Sequence, residues 1–160
     1  MHRHTRTVIL AVVAAALCAS AQTKPFGIGV IVGEPMGATM KVWFNPLFGM
    51  DLSAGADFGR TNTYIFRYEA PPAFQTHLDF IGHIPLVRSR GPRIAAHIGG
   101  GVKLSFRAGF EHVRARTPLG LTFLLPRKPV PWELFIEFAP TWGRPLLFDP
   151  DAALGFRYYF

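Results

Sequence analysis

Polar and apolar residues alternate along most of this chain from residue 26 onward. The last nine residues show the pattern well, because every second side chain is apolar or aromatic and the positions between include Gly155 and Arg157. The apolar set is Ala152, Leu154, Phe156, Tyr158 and Phe160. Successive side chains of a β-strand point to opposite faces, so a repeat of two residues predicts a strand whose faces meet different environments.

Turn-forming residues divide the chain into eight segments of this kind. Glu34-Pro35 and Asn45-Pro46 end the first two, since proline and its neighbours commonly break strands. The predicted strands are residues 26–33, 37–44, 48–59, 73–82, 93–104, 110–125, 132–142 and 152–160. The longer connections are 60–72, 83–92, 126–131 and 143–151. Pro118 and Pro140 fall inside predicted strands, and we expect β-bulges there because each removes a ladder hydrogen bond.

The two faces of the predicted strands differ in charge. From Val113 in the sixth segment, and throughout the others, one set of alternate positions carries no charge, and its aromatic residues lie mostly near strand ends. A charge at a bilayer midplane costs about 2–4 kcal/mol, so this face suits lipid. The other set is polar and rich in glycine, with Ser53 and Lys103 among its members. Its principal residues, the predicted lumen network, are Lys41, Asp51, Asp57, His77, Asp79, Arg93, His97, Arg114, Arg116, Glu133, Glu137 and Arg157. The predicted fold class is therefore all-β, an eight-stranded antiparallel up-and-down transmembrane β-barrel with a polar interior.

The first 21 residues are predicted to be a cleaved signal peptide. Basic residues at positions 2–6 precede an apolar run at 8–17 that is too short to span a bilayer, and Ala19-Ser20-Ala21 has the pattern of a cleavage site. The alternatives are an uncleaved anchor or lipidation of Cys18. Residues 22–160 would then form the barrel, without cysteine and with a net charge of about +5 scattered singly. This scatter does not favour nucleic acid as a partner.

A soluble, lipocalin-like periplasmic barrel would use the same alternation with the apolar face inside. Three features favour a polar interior instead. The signal peptide sends the chain out of the cytoplasm, the chain ends on the aromatic residue Phe160, and the polar face combines glycine with balanced charge. A soluble surface would normally carry more Lys and Glu.

Five segments carry a resemblance to a known group of proteins. They are Gly27-Ile28-Gly29 through Gly33-Glu34-Pro35, His97-Ile98-Gly99-Gly100-Gly101, Pro118-Leu119-Gly120-Leu121, Phe135-Ile136-Glu137-Phe138-Ala139-Pro140 and Gly155-Phe156-Arg157-Tyr158-Tyr159-Phe160. Over nearly all of residues 22–160 the chain resembles the small eight-stranded bacterial outer-membrane β-barrels, most closely an uncharacterised family of that group. The resemblance implies a place in the outer-membrane lipid and recognition of the last strand by the barrel-assembly machinery. Phe156, Tyr158 and Phe160 are the assembly signal it implies, and it brings no established activity.

Candidate chemistry is concentrated on the polar face. If the last hairpin turns near Leu147, Glu137 and Arg157 lie opposite each other, and opposed charges on neighbouring strands stabilise the pair. Arg114 and Arg116 could extend this network to Glu133. Such a network either conducts ions through a lumen or forms a packed polar core, and the packed core is the expectation because small barrels are filled by side chains.

Metal binding and catalysis have weaker support. His77, His97 and Asp79 could lie close together, but they lack metal-ligand spacing, so we expect a hydrogen-bonded cluster and no metal or cofactor. Ser105 is near His112 and Glu111 with a predicted loop between them, and none of the serines lies in a nucleophile-elbow motif. We therefore expect no enzyme activity.

The sequence thus predicts an integral outer-membrane protein with a structural or surface-interaction role. Its outer contacts would come chiefly from the connections 60–72 and 143–151, although their ligand is unknown. A narrow channel for ions or small molecules, and a soluble ligand-binding barrel, are the other hypotheses.

Overall fold

The computed structural model of the protein describes residues 25–57, 73–87, 92–107, 110–125, 131–143 and 148–160. The strands of these ranges are β1 (Phe26–Gly33), β2 (Met36–Trp43), β3 (Phe48–Asp57), β4 (Ala73–Val87), β5 (Arg93–Arg107), β6 (Phe110–Arg116), β7 (Leu119–Leu124), β8 (Trp132–Trp142) and β9 (Asp149–Tyr159). Within these ranges no helix has the length and apolar character needed to cross a membrane. The predicted signal peptide, residues 1–21, and the whole connection 60–72 lie outside the described residues.

The strands form one antiparallel sheet that closes on itself. Hydrogen-bonded neighbours follow the order β4-β3-β2-β1-β9-β8-β6-β5-β7, with further pairings of β4 with β5 and of β8 with β7. β6 and β7 share the same two neighbours, β5 and β8, and together act as one interrupted strand. Because β4 pairs with β5, the result is a closed eight-stranded antiparallel barrel, which confirms the predicted fold.

The prediction of a β-bulge at Pro118 is wrong. Gly101 pairs with Arg116 before the interruption, and Ile98 pairs with Leu119 after it, three residues further along each strand. The register is therefore the same on both sides, whereas a bulge would have added a residue to one strand.

Missing hydrogen-bond donors explain the interruption instead. The Gly99 N–H donates to the Pro118 carbonyl at 2.9 Å, and the Thr117 N–H donates to the Pro140 carbonyl at 3.0 Å. Neither proline has an N–H with which to return the bond. Pro140 itself keeps an unbroken register with β9, opposite Pro150, so the bulge predicted there is wrong as well.

Three strands extend well past their predicted bounds, and β5 reaches Arg107 rather than residue 104. β4 continues to Val87, with a register shift between Pro85 and Val87, so residues 83–87 of the predicted connection 83–92 are strand. β9 begins at Asp149, so the end of the predicted connection 143–151 also belongs to the barrel. Prolines at 85 and 150 favoured loops in the sequence, but both occupy strand positions.

The barrel has two ends, which we name from the chain path. The terminal end is where β1 begins and β9 ends, and the turn between β2 and β3 lies there. The far end carries the tight Glu34-Pro35 turn between β1 and β2 and the connection from β8 to β9.

The outward face is apolar between two bands of aromatic residues. Aliphatic side chains such as Val30, Ile136 and Leu154 are about half exposed at 57%, 52% and 50%. The aromatic bands are Phe26, Phe44, Phe48, Phe80, Trp132, Tyr158 and Phe160 toward the terminal end, and Phe74, Phe106, Trp142 and Phe148 toward the far end. Edge-to-face or tilted contacts join several of these rings, including Trp132 with Phe156 and Trp142 with Phe148. Among the described outward positions, Glu111 is the one charged residue, and it lies beside the far-end band because it pairs with Phe106.

Inward-facing glycines make room for large side chains on neighbouring strands. Gly155 lies opposite Phe135, and a Cβ added at Gly155 would lie 2.1 Å from the Phe135 Cζ. Phe135 is only 2% exposed, and its ring lies 4.0 Å from the Arg157 guanidinium carbon. The Phe135 ring therefore has little room to move away from a methyl group added at Gly155.

We expect Gly155→Ala to destabilise the barrel by about 1–3 kcal/mol, because it overpacks a filled interior. The matched control is Gly100→Ala on the outward face, where an added Cβ would meet no atom within 4 Å. The control should change stability by less than about 0.5 kcal/mol. Urea unfolding in detergent micelles measures both, and equal stability of the two variants would contradict the close packing at Phe135.

Candidate functional site

The Arg157 guanidinium is the centre of a buried charge network toward the terminal end. It donates to Glu133 Oε1 at 2.6 Å, to Asp51 Oδ2 at 2.9 Å and to Thr39 Oγ1 at 2.8 Å. Lys41 Nζ approaches the same two acids, at 3.5 Å from Glu133 and 3.7 Å from Asp51. All of these residues are at most 3% exposed. The network therefore joins β2, β3, β8 and β9 through the barrel interior.

The predicted pairing of Glu137 with Arg157 is wrong. In the β8–β9 ladder Arg157 lies opposite Glu133, and Glu137 lies opposite Ala153. The hairpin turns two residues earlier than Leu147 would require, so the same inward face is kept but the partner changes. A shift by an even number of residues preserves the face of every side chain, which is why alternation could not reveal it.

A second network, centred on Arg116, lies toward the far end. Arg116 donates to Glu137 Oε1 at 2.6 Å and also to Asp79, and its Nε lies 3.6 Å from Asp151 Oδ2. Lys103 donates to the other oxygen of Asp151 at 2.5 Å. Arg116 thus contacts Glu137 and Asp79 rather than Glu133, the partner suggested by the sequence.

Three residues of the predicted network lie closer to the ends. Arg114 is partly buried at the far end and donates to Asp149. Asp57 is 7% exposed and accepts a hydrogen bond from Gln75 at 2.6 Å. Arg93, in contrast, is exposed at the rim of the terminal end, so its predicted place in the interior network is wrong.

The inward histidines His77 and His97 are not neighbours in the β4–β5 ladder. His77 lies opposite Lys103 and contacts Asp79 at 2.9 Å, whereas His97 lies opposite His83, six positions further along the β4–β5 ladder. His97 contacts Thr122 at 2.9 Å and lies 3.4 Å from Glu137. The expected juxtaposition of His77 and His97 is therefore wrong. No group of three or more His, Cys, Asp or Glu suited to a metal ion occurs in the described parts of the chain.

Ser105 and His112 are nearer than predicted, because they are direct partners in the β5–β6 hairpin rather than residues on either side of a long loop. Both lie on the inward side, but Glu111 points outward and is exposed. The three side chains therefore do not converge as a nucleophile, base and orienting acid would.

Sequence reasoning missed several inward residues. His83, Asp149 and Asp151 were assigned to connections, and Thr39 was not singled out. His83 has the same parity as His77 and Asp79, and Asp151 the same parity as Arg157. Continuing the alternation past the prolines would have found them.

Glu34, in the far-end turn, is a partly buried acid next to other acids. Burial raises the pKa of its carboxyl from 4.5 to about 7, and the negative charges of Asp151, Asp57 and Asp149 add to the shift, while Lys103 opposes it. The folded barrel therefore holds a proton on Glu34 at pH values where the unfolded chain has lost it.

No protein-family model and no curated protein matches this sequence. Among solved structures, the crystal structure of Ail, the attachment invasion locus protein of Yersinia pestis, is similar with 12% sequence identity and a TM-score of 0.40. The similarity covers 84% of this chain and 96% of that one. Similarity this low says nothing about function.

Removing the Arg157 charge should strongly destabilise the barrel. We expect Arg157→Met to cost about 3–5 kcal/mol, because Asp51 and Glu133 remain buried with less compensation. The matched control is Arg93→Met at the exposed rim, expected to change stability by less than about 0.5 kcal/mol. Urea unfolding of both variants at neutral pH is the measurement. A small effect at Arg157 would contradict the geometry of the network.

Stability should also depend on pH through Glu34. The raised pKa means that the contribution of neutral Glu34 is fully present below pH 4.5 and is lost as the pH rises through about 7. Glu34→Gln should match the wild type at pH 4.5 and be more stable than it at pH 8. Glu111→Gln, an exposed control, should follow the wild type at both pH values. A Glu34→Gln variant that is less stable than the wild type at pH 8 would contradict the assignment.

Proposed function

We propose that this protein is an integral β-barrel of the bacterial outer membrane, with a sealed interior and a structural or surface-interaction role. One observation supports this most. Between the two aromatic bands, the described outward positions carry no charged residue, whereas the inward positions hold Lys41, Lys103, Arg116 and Arg157 with their acids. A lipid environment favours this distribution, and water does not.

The extent of the apolar surface argues against a soluble barrel. The largest apolar patch of a soluble monomer usually covers about 300–600 Å², but here half-exposed aliphatic residues occur on every side of the barrel. Strands of the required length support the same proposal, because β8 and β9 have 11 residues each and a tilted strand crosses a bilayer in about 9–11.

A sealed interior is favoured over a channel. Arg116, Arg157 and Phe135 cross the barrel at successive levels and are each 2% exposed or less. A conducting path would require the two arginines to leave their ion pairs and the Phe135 ring to move aside. We therefore propose that the role lies at the ends of the barrel and not in transport through it.

The last strand would supply both closure and targeting. β9 pairs with β1 to close the barrel, and Phe156, Tyr158 and Phe160 project outward from it. We propose that these three residues are read by the barrel-assembly machinery after secretion through a cleaved signal peptide. The far end would then face outside, with the connections 58–72 and 143–148 available for contacts.

Membrane insertion can be tested with charges placed at matched outward positions. Ile136→Arg, between the two bands, should cost about 2–4 kcal/mol of stability in lipid vesicles, because arginine would enter the hydrocarbon. Glu111→Arg, at an outward position that already carries a charge, should cost about 0–1 kcal/mol. Equal, small effects at the two positions would indicate that water surrounds the outward face and that the barrel is soluble.

Location and closure need a direct measurement as well. The wild-type protein should fractionate with the outer membrane and show a band that shifts on boiling, since closed membrane barrels resist detergent until heated. Reconstituted in planar bilayers, it should show no steady conductance. A soluble periplasmic protein would overturn the membrane assignment, and stable open channels would overturn the sealed interior alone.

A further inference from the structure

The barrel wall has a break in its regular hydrogen bonding at the link between β6 and β7. The link consists of Thr117 and Pro118. Its neighbours are β5 on one side and β8 on the other, and on both sides regular strand pairing ends at Arg116 and resumes at Leu119. We call this break in the wall the seam.

Two prolines leave the seam with few hydrogen bonds. The Gly99 N–H donates to the Pro118 carbonyl at 2.9 Å on the β5 side, and the Thr117 N–H donates to the Pro140 carbonyl at 3.0 Å on the β8 side. Two residues paired in this way in a regular antiparallel ladder exchange both of their bonds, but a proline has no N–H to return. Each of these pairs is therefore held by one bond where a regular ladder would have two.

Side chains add little to the closure of the seam. Beside it, β5 has the three consecutive glycines Gly99, Gly100 and Gly101. On the outward face, a Cβ added at Gly100 would meet no atom within 4 Å, so the surface is open there. Glycine also loses more conformational freedom on ordering than any other residue. Local opening should therefore cost less free energy at the seam than in a ladder with larger side chains.

A buried ion pair lies directly behind the seam. The Asp79 side chain, from β4, passes over Gly101 to reach Arg116, because a Cβ added at Gly101 would lie 2.2 Å from Asp79 Oδ1 and the other carboxylate oxygen accepts from Arg116. Both residues are at most 2% exposed. Asp79 Oδ1 has no hydrogen-bond partner in the part of the chain that the structure describes. A buried acceptor without a partner is costly, so an opening that lets a donor reach it is favoured.

We propose that the seam is a side gate, at which the wall opens locally while the rest of the barrel stays closed. The link between β6 and β7 moves away from β5, the bond from Gly99 breaks, and the Asp79–Arg116 pair becomes accessible from the outward face. Arg157 keeps its own acids toward the terminal end, so the barrel stays sealed along its length. The gate goes beyond the membrane proposal, because it is a property of the wall whatever solvent surrounds it.

The test is ¹⁵N relaxation dispersion on the full-length chain in detergent micelles, because this measurement detects exchange with a minor state on the microsecond-to-millisecond timescale. The amides of Gly99 and Thr117 should show exchange with one common rate, and the Arg116 Nε–H signal should share that rate. The β2–β3 ladder is the internal control. Its pairing is unbroken from Met36 to Trp43, so its amides should show no exchange.

Two variants should close the gate. Pro118→Ala supplies an N–H opposite Gly99, and Pro140→Ala supplies one opposite Thr117. Each should lower the population of the open state about fivefold, because the added hydrogen bond stabilises the closed state alone. The matched control is Pro150→Ala, since Pro150 lies opposite Pro140 on β9, away from the seam, and should leave the exchange unchanged. A folding defect in one of the two closing variants leaves the other to decide.

Flat dispersion profiles at Gly99 and Thr117 in the wild type would overturn the side gate. Exchange of the same size in the β2–β3 ladder would overturn it too, since the motion would then belong to the whole barrel. A third contrary result is exchange that Pro150→Ala lowers as much as Pro118→Ala does. Fractionation decides the outer-membrane location separately, so either proposal can fail without the other.

Discussion

Compensation of buried charge is the constraint on which this barrel depends. Arg157 is 1% exposed, and its hydrogen-bond partners lie on three other strands: Thr39 on β2, Asp51 on β3 and Glu133 on β8. A buried cation without acids would be very costly, so the position of this one guanidinium requires four strands to be in register at once. A slip of one residue in β9 would turn Arg157 to the apolar outward face. The ion pairs thus specify the register more than they add stability.

The narrow interior adds a second constraint, which is space. Large side chains on one strand face glycines on the next, as Phe135 faces Gly155 and His97 faces Gly120. A Cβ at Gly120 would lie 2.6 Å from the His97 ring, so the small residue is required by its neighbour. An eight-stranded barrel has room for little more than its own side chains. Charge compensation and space therefore act together, since Asp79, which pairs with Arg116, lies opposite Gly101, where an added Cβ would be 2.2 Å from its Oδ1.

Most of the fold could be predicted from the sequence, because the alternation of polar and apolar residues is a local pattern. Each strand shows its own faces, so the apolar outward set and the inward placement of Lys41, Asp79 and Glu137 could be predicted without knowing any strand partner. Pro85 and Pro150 were misleading, because a strand tolerates proline where its N–H is not needed, and that depends on the neighbouring strand.

Partners across the barrel could not be predicted in the same way. Arg157 and Asp51 are 106 residues apart in the chain, and their contact is set by the stagger of the whole sheet. Glu133 and Glu137 have the same parity on the same strand, so only the length of the final turn decides which of them meets Arg157. The inward position of His83 was not predicted for a related reason, because the extent of β4 beyond Gly82 is fixed by its pairing with β5.

The charge network also determines which ring nitrogen of His83 carries the proton at the terminal end. Glu133 accepts from Arg157 and Tyr159, and it lies 3.5 Å from Lys41. Lys41 in turn donates a hydrogen bond to His83 Nε2, so the proton of the neutral imidazole is on Nδ1. This chain of contacts, from Asp51 through Lys41 to His83, extends the interior network from the middle of the barrel to its terminal end.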